Sequence, residues 1–229
     1  MLHRIVAEAL VDRILSNVYP ENSLLPTERE LCTDMGVSRT VVREAIKLIE
    51  TQRLVRIEHG RGTIVQPPDP GLVKDSLELL LRRGGHAMED LMEARKIIEV
   101  GMAGLAAERR TDTNLQAMQR CIETMRTKPG EPEGYVEADV EFHSEIARAA
   151  RNPLFALLIN ALAGPLRKSR IESFSGPSMV RLRVRQHEQI FNAIEKQDVA
   201  TAQAAMSGHL SDTEKDLARR KKARANGRE

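Results

Sequence analysis

Four side chains with metal-binding chemistry are spread over the second half of the sequence: Asp139, His143, His187 and His209. Asp139 and His143 are four residues apart, so a helix would carry them on one face, one turn apart. We predict that His187 begins a helix over 187–195 and that His209 lies inside the next helix. Side chains from three helices could meet in a core and hold a divalent transition metal with open coordination positions. His143 and His187 are 44 residues apart, and His187 and His209 are 22 residues apart, so the four residues form no local metal motif. The alternative interpretation is that they are ordinary polar residues.

A second set of side chains with binding chemistry lies near residue 40. Arg39 and Arg43 are four residues apart, so a helix carries them as one basic stripe. Long cationic donors of this kind reach guanine edges or phosphates. Ser38 and Thr40 lie at the start of the same helix, where backbone amides favour a phosphate. Residues 1–66 hold nine Lys or Arg and nine Asp or Glu, so a solvated charged face is the alternative.

The elements around these arginines predict a winged helix-turn-helix. A helix over 2–15 precedes a second helix, which begins at Thr27 with a capping box and ends near Gly36. A third helix over 38–51 leads into two short strands within 54–65, separated by a glycine turn. In this motif the later of the two paired helices, here the third helix, lies in the major groove of DNA.

The rest of the chain predicts a second, all-helical domain. We expect a DNA-binding domain over 1–66, a proline-rich linker over 67–71, an α-helical domain over 72–218 and a basic disordered tail over 219–229. Trp is absent, and there are only four Phe and two Tyr, so the core is built from aliphatic residues and Met. The predicted fold class is therefore mainly α, with six or seven helices in a C-terminal bundle.

Composition excludes several classes of protein. Two cysteines cannot form a disulfide framework, and no apolar run approaches the roughly 18 residues of a membrane span. The N-terminus lacks the apolar segment of a signal peptide, so we expect a cytoplasmic protein with no membrane partner. A net charge of +2 does not by itself indicate a nucleic-acid-binding protein.

Three segments of the predicted DNA-binding domain resemble the GntR family of bacterial regulators. They are LPTEREL at 25–31, GVSRTVVREA at 36–45 and LVRIEHGRGT at 54–63. The resemblance implies that Arg29, Arg39 and Arg43 contact operator DNA. It also implies that His59 and Gly60 lie at the tip of the wing.

The second domain resembles the FCD domain of the FadR subfamily. The matching segments are LMEARKIIE at 91–99, AAER at 106–109, DVEFH at 139–143, AARNP at 149–153, HEQI at 187–190 and MSGHL at 206–210. The resemblance implies that Asp139, His143, His187 and His209 hold a divalent ion, of which zinc is the expected one. It also implies that Arg95 faces the cavity and pairs with an effector carboxylate; the alternative is a surface ion pair with Glu99.

Together these features predict a ligand-responsive repressor that binds a palindromic operator as a homodimer. A metal with open positions takes hard oxygens, and a guanidinium binds a planar carboxylate in a bidentate manner. A small carboxylate with an adjacent hydroxyl or keto oxygen therefore fits as effector, whereas a long acyl chain does not. Such a repressor would control an operon for carboxylic-acid or sugar-acid catabolism.

Two alternatives remain open at this stage. An Asp/His₃ site could activate water in a metal-dependent enzyme that acts on a small hydroxy acid, although no general base is clearly positioned. The chain could also be a regulator whose metal is purely structural, or a metal sensor with no organic effector.

Overall fold

The computed structural model describes residues 1–69, 71–83, 88–127, 131–172, 174, 176–225 and 227. The chain divides into two units, Met1–Leu72 and Val73–Glu229. Pro70 of the predicted linker and residues 226, 228 and 229 of the predicted tail lie outside the described residues.

The N-terminal unit has the predicted order of elements, three helices followed by a hairpin. The helices are α1 (Leu2–Leu15), α2 (Glu28–Met35) and α3 (Arg39–Thr51), and the strands are β1 (Val55–Glu58) and β2 (Gly62–Val65). The strands pair in antiparallel fashion, with a register that joins Val55 to Val65 and Glu58 to Gly62.

Local capping fixes the turn between α2 and α3. The Thr27 amide donates to the Glu30 carboxylate at 2.8 Å, and the Glu30 amide donates to the Thr27 hydroxyl at 3.3 Å, so the capping box is present. Gly36 ends α2 in the left-handed region with φ +66°. Ser38 then begins α3 by accepting a hydrogen bond from the Val41 amide at 3.4 Å.

One face of α3 forms the core of this unit. Val42, Ala45, Ile46 and Ile49 recur at helical spacing and are buried in one cluster with residues of α1, α2 and both strands. Because this face is fixed inward, the opposite face of α3 is turned toward solvent.

Every regular element of the C-terminal unit, within its described residues, is a helix. Among the described residues, seven helices follow the hairpin: α4 (Gly71–Arg83), α5 (Met88–Arg109), α6 (Asp112–Thr127), α7 (Pro132–Ala149), α8 (Pro153–Glu172), α9 (Pro177–Glu195) and α10 (Val199–Ala225). Their shared core lacks Trp and is built largely from Ala, Leu, Ile, Val and Met. The mainly α fold class, with a winged helix-turn-helix and an all-α second domain, is thus confirmed.

Two boundaries differ from the sequence prediction. His187 does not begin a helix, because α9 begins ten residues earlier at Pro177, an imino acid suited to the first turn of a helix. The disordered tail predicted from 219 is wrong as far as Ala225, to which α10 extends. Arg, Lys and Ala are strong helix formers, and Arg219 pairs with Asp216 at 3.4 Å one turn earlier.

Within the described part of the chain, none of the helices combines the length and the apolar character that crossing a membrane requires.

Removal of residues 219–229 should shorten α10 without unfolding the C-terminal unit. Arg219 and Lys222 are exposed, and an exposed ion pair such as Arg219–Asp216 contributes at most about 1 kcal/mol. We expect the melting temperature to fall by less than about 3 °C in a calorimetric scan. The control is Met206→Ala, which empties a fully buried position of the same helix and should cost about 2–5 kcal/mol. A truncation as costly as Met206→Ala would show that the segment packs.

Candidate DNA interface and metal centre

The side chains predicted to contact DNA lie on the exposed surface of the N-terminal unit. Arg39, Thr40 and Arg43 are exposed on α3, and Arg29 is exposed on α2. Ser38 is exposed at the N-terminus of α3, where its hydroxyl already accepts the Val41 amide. The stripe faces away from the core cluster, as a groove-reading helix requires.

An ion pair between the two helices orients Arg43. Its guanidinium donates to Glu28 through Nη2 at 3.1 Å and through Nε at 3.3 Å. The Arg43 partner lowers the pKa of the Glu28 carboxyl from its ordinary value. Because the Arg43 side chain is 60% exposed, the pair aligns the guanidinium without removing it from solvent.

The tip of the hairpin presents His59 and Gly60 to solvent. Gly60 has φ +79°, a left-handed conformation that a residue with a Cβ rarely adopts. The wing is therefore a tight turn between β1 and β2, and its exposed tip matches the position that the sequence predicted.

The four predicted metal ligands, which lie far apart in the sequence, come together inside the C-terminal unit. Asp139 and His143 come from α7, His187 from α9 and His209 from α10, and one ligand atom of each lies within 4.8 Å of the others. All four are buried, with 0% to 3% exposure. The closest ring pair is His187–His209, with centroids 4.6 Å apart.

The electrostatics of this cluster favour an ionised carboxylate at Asp139 and neutral imidazoles at His187 and His209. Burial raises the pKa of Asp139, but the Arg170 guanidinium and the facing histidines outweigh it and hold that pKa well below its ordinary value. Burial lowers the pKa of His187 and lowers that of His209 further. An ionised carboxylate and neutral ring nitrogens are the protonation states in which these groups bind a metal.

Unsatisfied polar atoms test whether a metal fits here. Among the described residues, both ring nitrogens of His143 and of His187, and Nε2 of His209, are buried without a well-aligned hydrogen bond. Two of these nitrogens have a carboxylate oxygen nearby: His143 Nδ1 lies 2.5 Å from Glu99 Oε2, and His187 Nε2 lies 3.1 Å from Asp139 Oδ1. Buried polar atoms in folded proteins nearly always have a partner. A divalent ion would provide one for each ring, so the residues present fit such a group.

Neighbouring side chains orient two of the four candidate ligands. His209 Nδ1 lies 3.3 Å from Gln186 Oε1, which leaves Nε2 facing the cluster. Asp139 forms an ion pair with Arg170 through Oδ2, while its Oδ1 lies 3.1 Å from His187 Nε2. Such outer partners fix the orientation of metal ligands.

Arg95 lies beside this cluster and not on the surface. Its side chain is 2% exposed and pairs with Glu99, so the ion pair at this spacing exists but is buried. Arg95, Glu99, His143 and Arg170 line one small pocket, together with apolar side chains of α7 and α8. The pocket has room for about one water molecule.

The sequence pattern indicates neither Arg170 nor Gln186, and it indicates Glu99 only as a surface partner of Arg95. The signal for Glu99 was its spacing of four residues from Arg95. Gln186 directly precedes His187, yet it contacts His209 on another helix. Arg170 contacts Asp139 across 31 residues, a separation with no local signal.

Comparisons with known proteins cover nearly the whole chain. Residues 2–65 match the family of bacterial regulatory proteins, gntR family, and residues 90–212 match the FCD domain. The chain is 31% identical over 195 residues to the HTH-type transcriptional regulator LutR of Bacillus subtilis (strain 168), covering 83% of this chain and 89% of that protein. It is 28% identical over 207 residues to the galactonate operon transcriptional repressor of Escherichia coli (strain K12), covering 88% and 90%.

A solved structure shows the same architecture. Streptococcus agalactiae GntR superposes with a TM-score of 0.72 at 26% identity, covering 93% of this chain and 98% of that one. The families and relatives that match are transcriptional regulators, which sets the metalloenzyme alternative aside. Since the FCD match covers more than half of the chain and the LutR match spans most of both proteins, the chain belongs to the GntR family of DNA-binding transcriptional regulators, as a member with an FCD domain.

Proposed function

We propose that this chain is a cytoplasmic repressor whose affinity for operator DNA is controlled by a small carboxylate bound at a metal site. The observation that carries the proposal is the buried Asp139/His143/His187/His209 cluster beside Arg95, in a chain that also has a winged helix-turn-helix. A relative named as the repressor of a galactonate operon supports control of a sugar-acid or carboxylic-acid operon.

In the proposed DNA complex, α3 reads the major groove of each half of a palindromic operator bound by a homodimer. Arg39 and Arg43 reach base edges, and Arg29 contacts the phosphate backbone. Ser38 and Thr40 hold a phosphate at the helix N-terminus. The wing tip, His59 and Gly60, contacts the DNA beside the groove.

In the proposed effector complex, the four ligands hold a divalent ion, of which zinc suits three imidazoles and one carboxylate. A bound ion would supply open coordination positions to the hard oxygens of a carboxylate and of its neighbouring hydroxyl or keto group. Arg95 binds the carboxylate as a planar, permanently charged donor. The pocket beside Arg95 has room for about one water molecule, so this complex requires the pocket to widen.

The arginines of α3 give the first test. The DNA probe is an operator sequence selected with the unchanged protein from a randomised library. Arg39→Ala and Arg43→Ala should each weaken binding to this operator by about tenfold to a hundredfold and should relax the sequence specificity of the protein. Binding by the unchanged protein should fall steeply with added salt, because phosphate contacts release counterions. Fluorescence anisotropy measures both effects, with Arg181→Ala on α9 as the exposed control. Unchanged affinity in the Arg39/Arg43 double variant would refute the assignment of α3.

The metal ligands give the second test. The full chain should bind about one divalent ion, and His187→Ala combined with His209→Ala should abolish tight binding. The stripped protein should melt at a lower temperature, because its buried polar atoms lose their partner. The matched control exchanges two histidines outside the cluster, His3→Ala and His59→Ala, and should keep the ion. Elemental analysis and calorimetry decide between these results.

The effector pair gives the third test. In a calorimetric panel of 2-hydroxy and 2-keto carboxylates, at least one acid should bind the metal-loaded protein, and Arg95→Ala should weaken it at least tenfold. Lys96→Ala, the next residue on α5 with an ion pair to Glu214, is the control. Linkage requires that bound operator lowers the affinity for the acid by the same factor by which bound acid lowers the affinity for the operator. Equal binding after chelator treatment would leave the metal a structural role.

A further inference from the structure

We propose that Glu99 is a positioning residue that couples the metal ligand His143 to the effector-binding Arg95. The inference rests on the proposed function and deepens it, because it names the side chain through which the metal and the effector affect each other. The ion and the effector need not touch each other for this coupling to exist.

The geometry places one carboxylate against both groups. Glu99 is 1% exposed, and Arg95, four residues earlier on α5, donates through Nε to Glu99 Oε1. The other oxygen, Oε2, lies 2.5 Å from His143 Nδ1 on α7. The two oxygens therefore face two different partners, and both partners line the same pocket.

A carboxylate beside Nδ1 determines what the other ring nitrogen of His143 can do. It favours the tautomer with hydrogen on Nδ1, so that Nε2 keeps its lone pair for a metal, and it makes the ring a stronger ligand. His209 has a neutral amide, Gln186, in the corresponding place. His143 thus has the charged partner, and loss of such a partner costs about tenfold to a hundredfold in metal affinity.

Arg95 competes with His143 for the charge of Glu99. A carboxylate ligand that takes hydrogen bonds from Arg95 leaves more of the Glu99 charge to His143 and so strengthens the hold on the ion. Metal and effector should therefore bind with positive cooperativity. Arg95→Gln removes the competing cation and should imitate this effect without any effector.

The experiment measures the affinity of the full chain for Co²⁺ and Zn²⁺ by competition with a chromophoric chelator. Glu99→Gln should lower the affinity for both ions by about tenfold to a hundredfold and shift the Co²⁺ absorption bands. Glu99→Asp keeps a charge opposite Arg95, protects the fold and should weaken the ions less. Arg95→Gln should raise the affinity for both ions severalfold. Glu214→Gln on α10, which breaks the ion pair with Lys96 on α5, should change neither the ion affinities nor the spectrum.

The double variant Arg95→Gln with Glu99→Gln separates coupling through Glu99 from direct repulsion between Arg95 and the ion. Coupling through Glu99 requires that Arg95→Gln no longer tightens the ion in the Glu99→Gln background. A tightening that persists there, or equal ion affinities in the unchanged protein and Glu99→Gln, would overturn this inference and leave the proposed function standing. An unchanged protein that binds neither ion would overturn the proposed function itself.

Discussion

The C-terminal unit is organised by the need to bury one carboxylate and three imidazoles inside an apolar helical core. Transfer of an unpaired polar group from water to such an interior costs about 2–7 kcal/mol. The bundle offsets part of this cost with partners from neighbouring helices: Arg170 on α8 for Asp139, Gln186 on α9 for His209 and Glu99 on α5 for His143. Five of the seven helices contribute a candidate metal ligand or its partner, so the packing of these helices also determines the geometry of the site.

The N-terminal unit could be predicted closely because its signals are local. The capping box at Thr27, the left-handed Gly36 and the cap at Ser38 each act within a few residues, and each is present in the structure. The glycine turn that joins β1 and β2 into a hairpin is local as well, with Gly60 at φ +79°. When neighbouring residues determine both ends of a helix or strand, tertiary packing shifts those ends little.

The candidate metal site could be predicted in identity but not in geometry. Periodicity placed Asp139 and His143 on one helix face, yet the approach of His187 and His209 depends on how α7, α9 and α10 pack. The sequence predicts the start of α9 too late, because Gly176 and Pro177 are typical of a loop, although proline also suits a first helical turn. Arg170 and Gln186 act across helices, so no spacing in the sequence indicates them.

Two arginines with proposed ligand roles show how burial changes the meaning of one kind of ion pair. Arg43 and Arg95 each pair with a glutamate, but the Arg43 side chain is 60% exposed and that of Arg95 is 2% exposed. Water can replace Glu28 at little cost, so Arg43 is free to exchange this partner for a phosphate or a base. The buried Arg95 can exchange Glu99 only for another anion, since an uncompensated buried charge is strongly destabilising. In the proposed effector complex, selectivity for carboxylates therefore follows from the burial of Arg95 as much as from its shape.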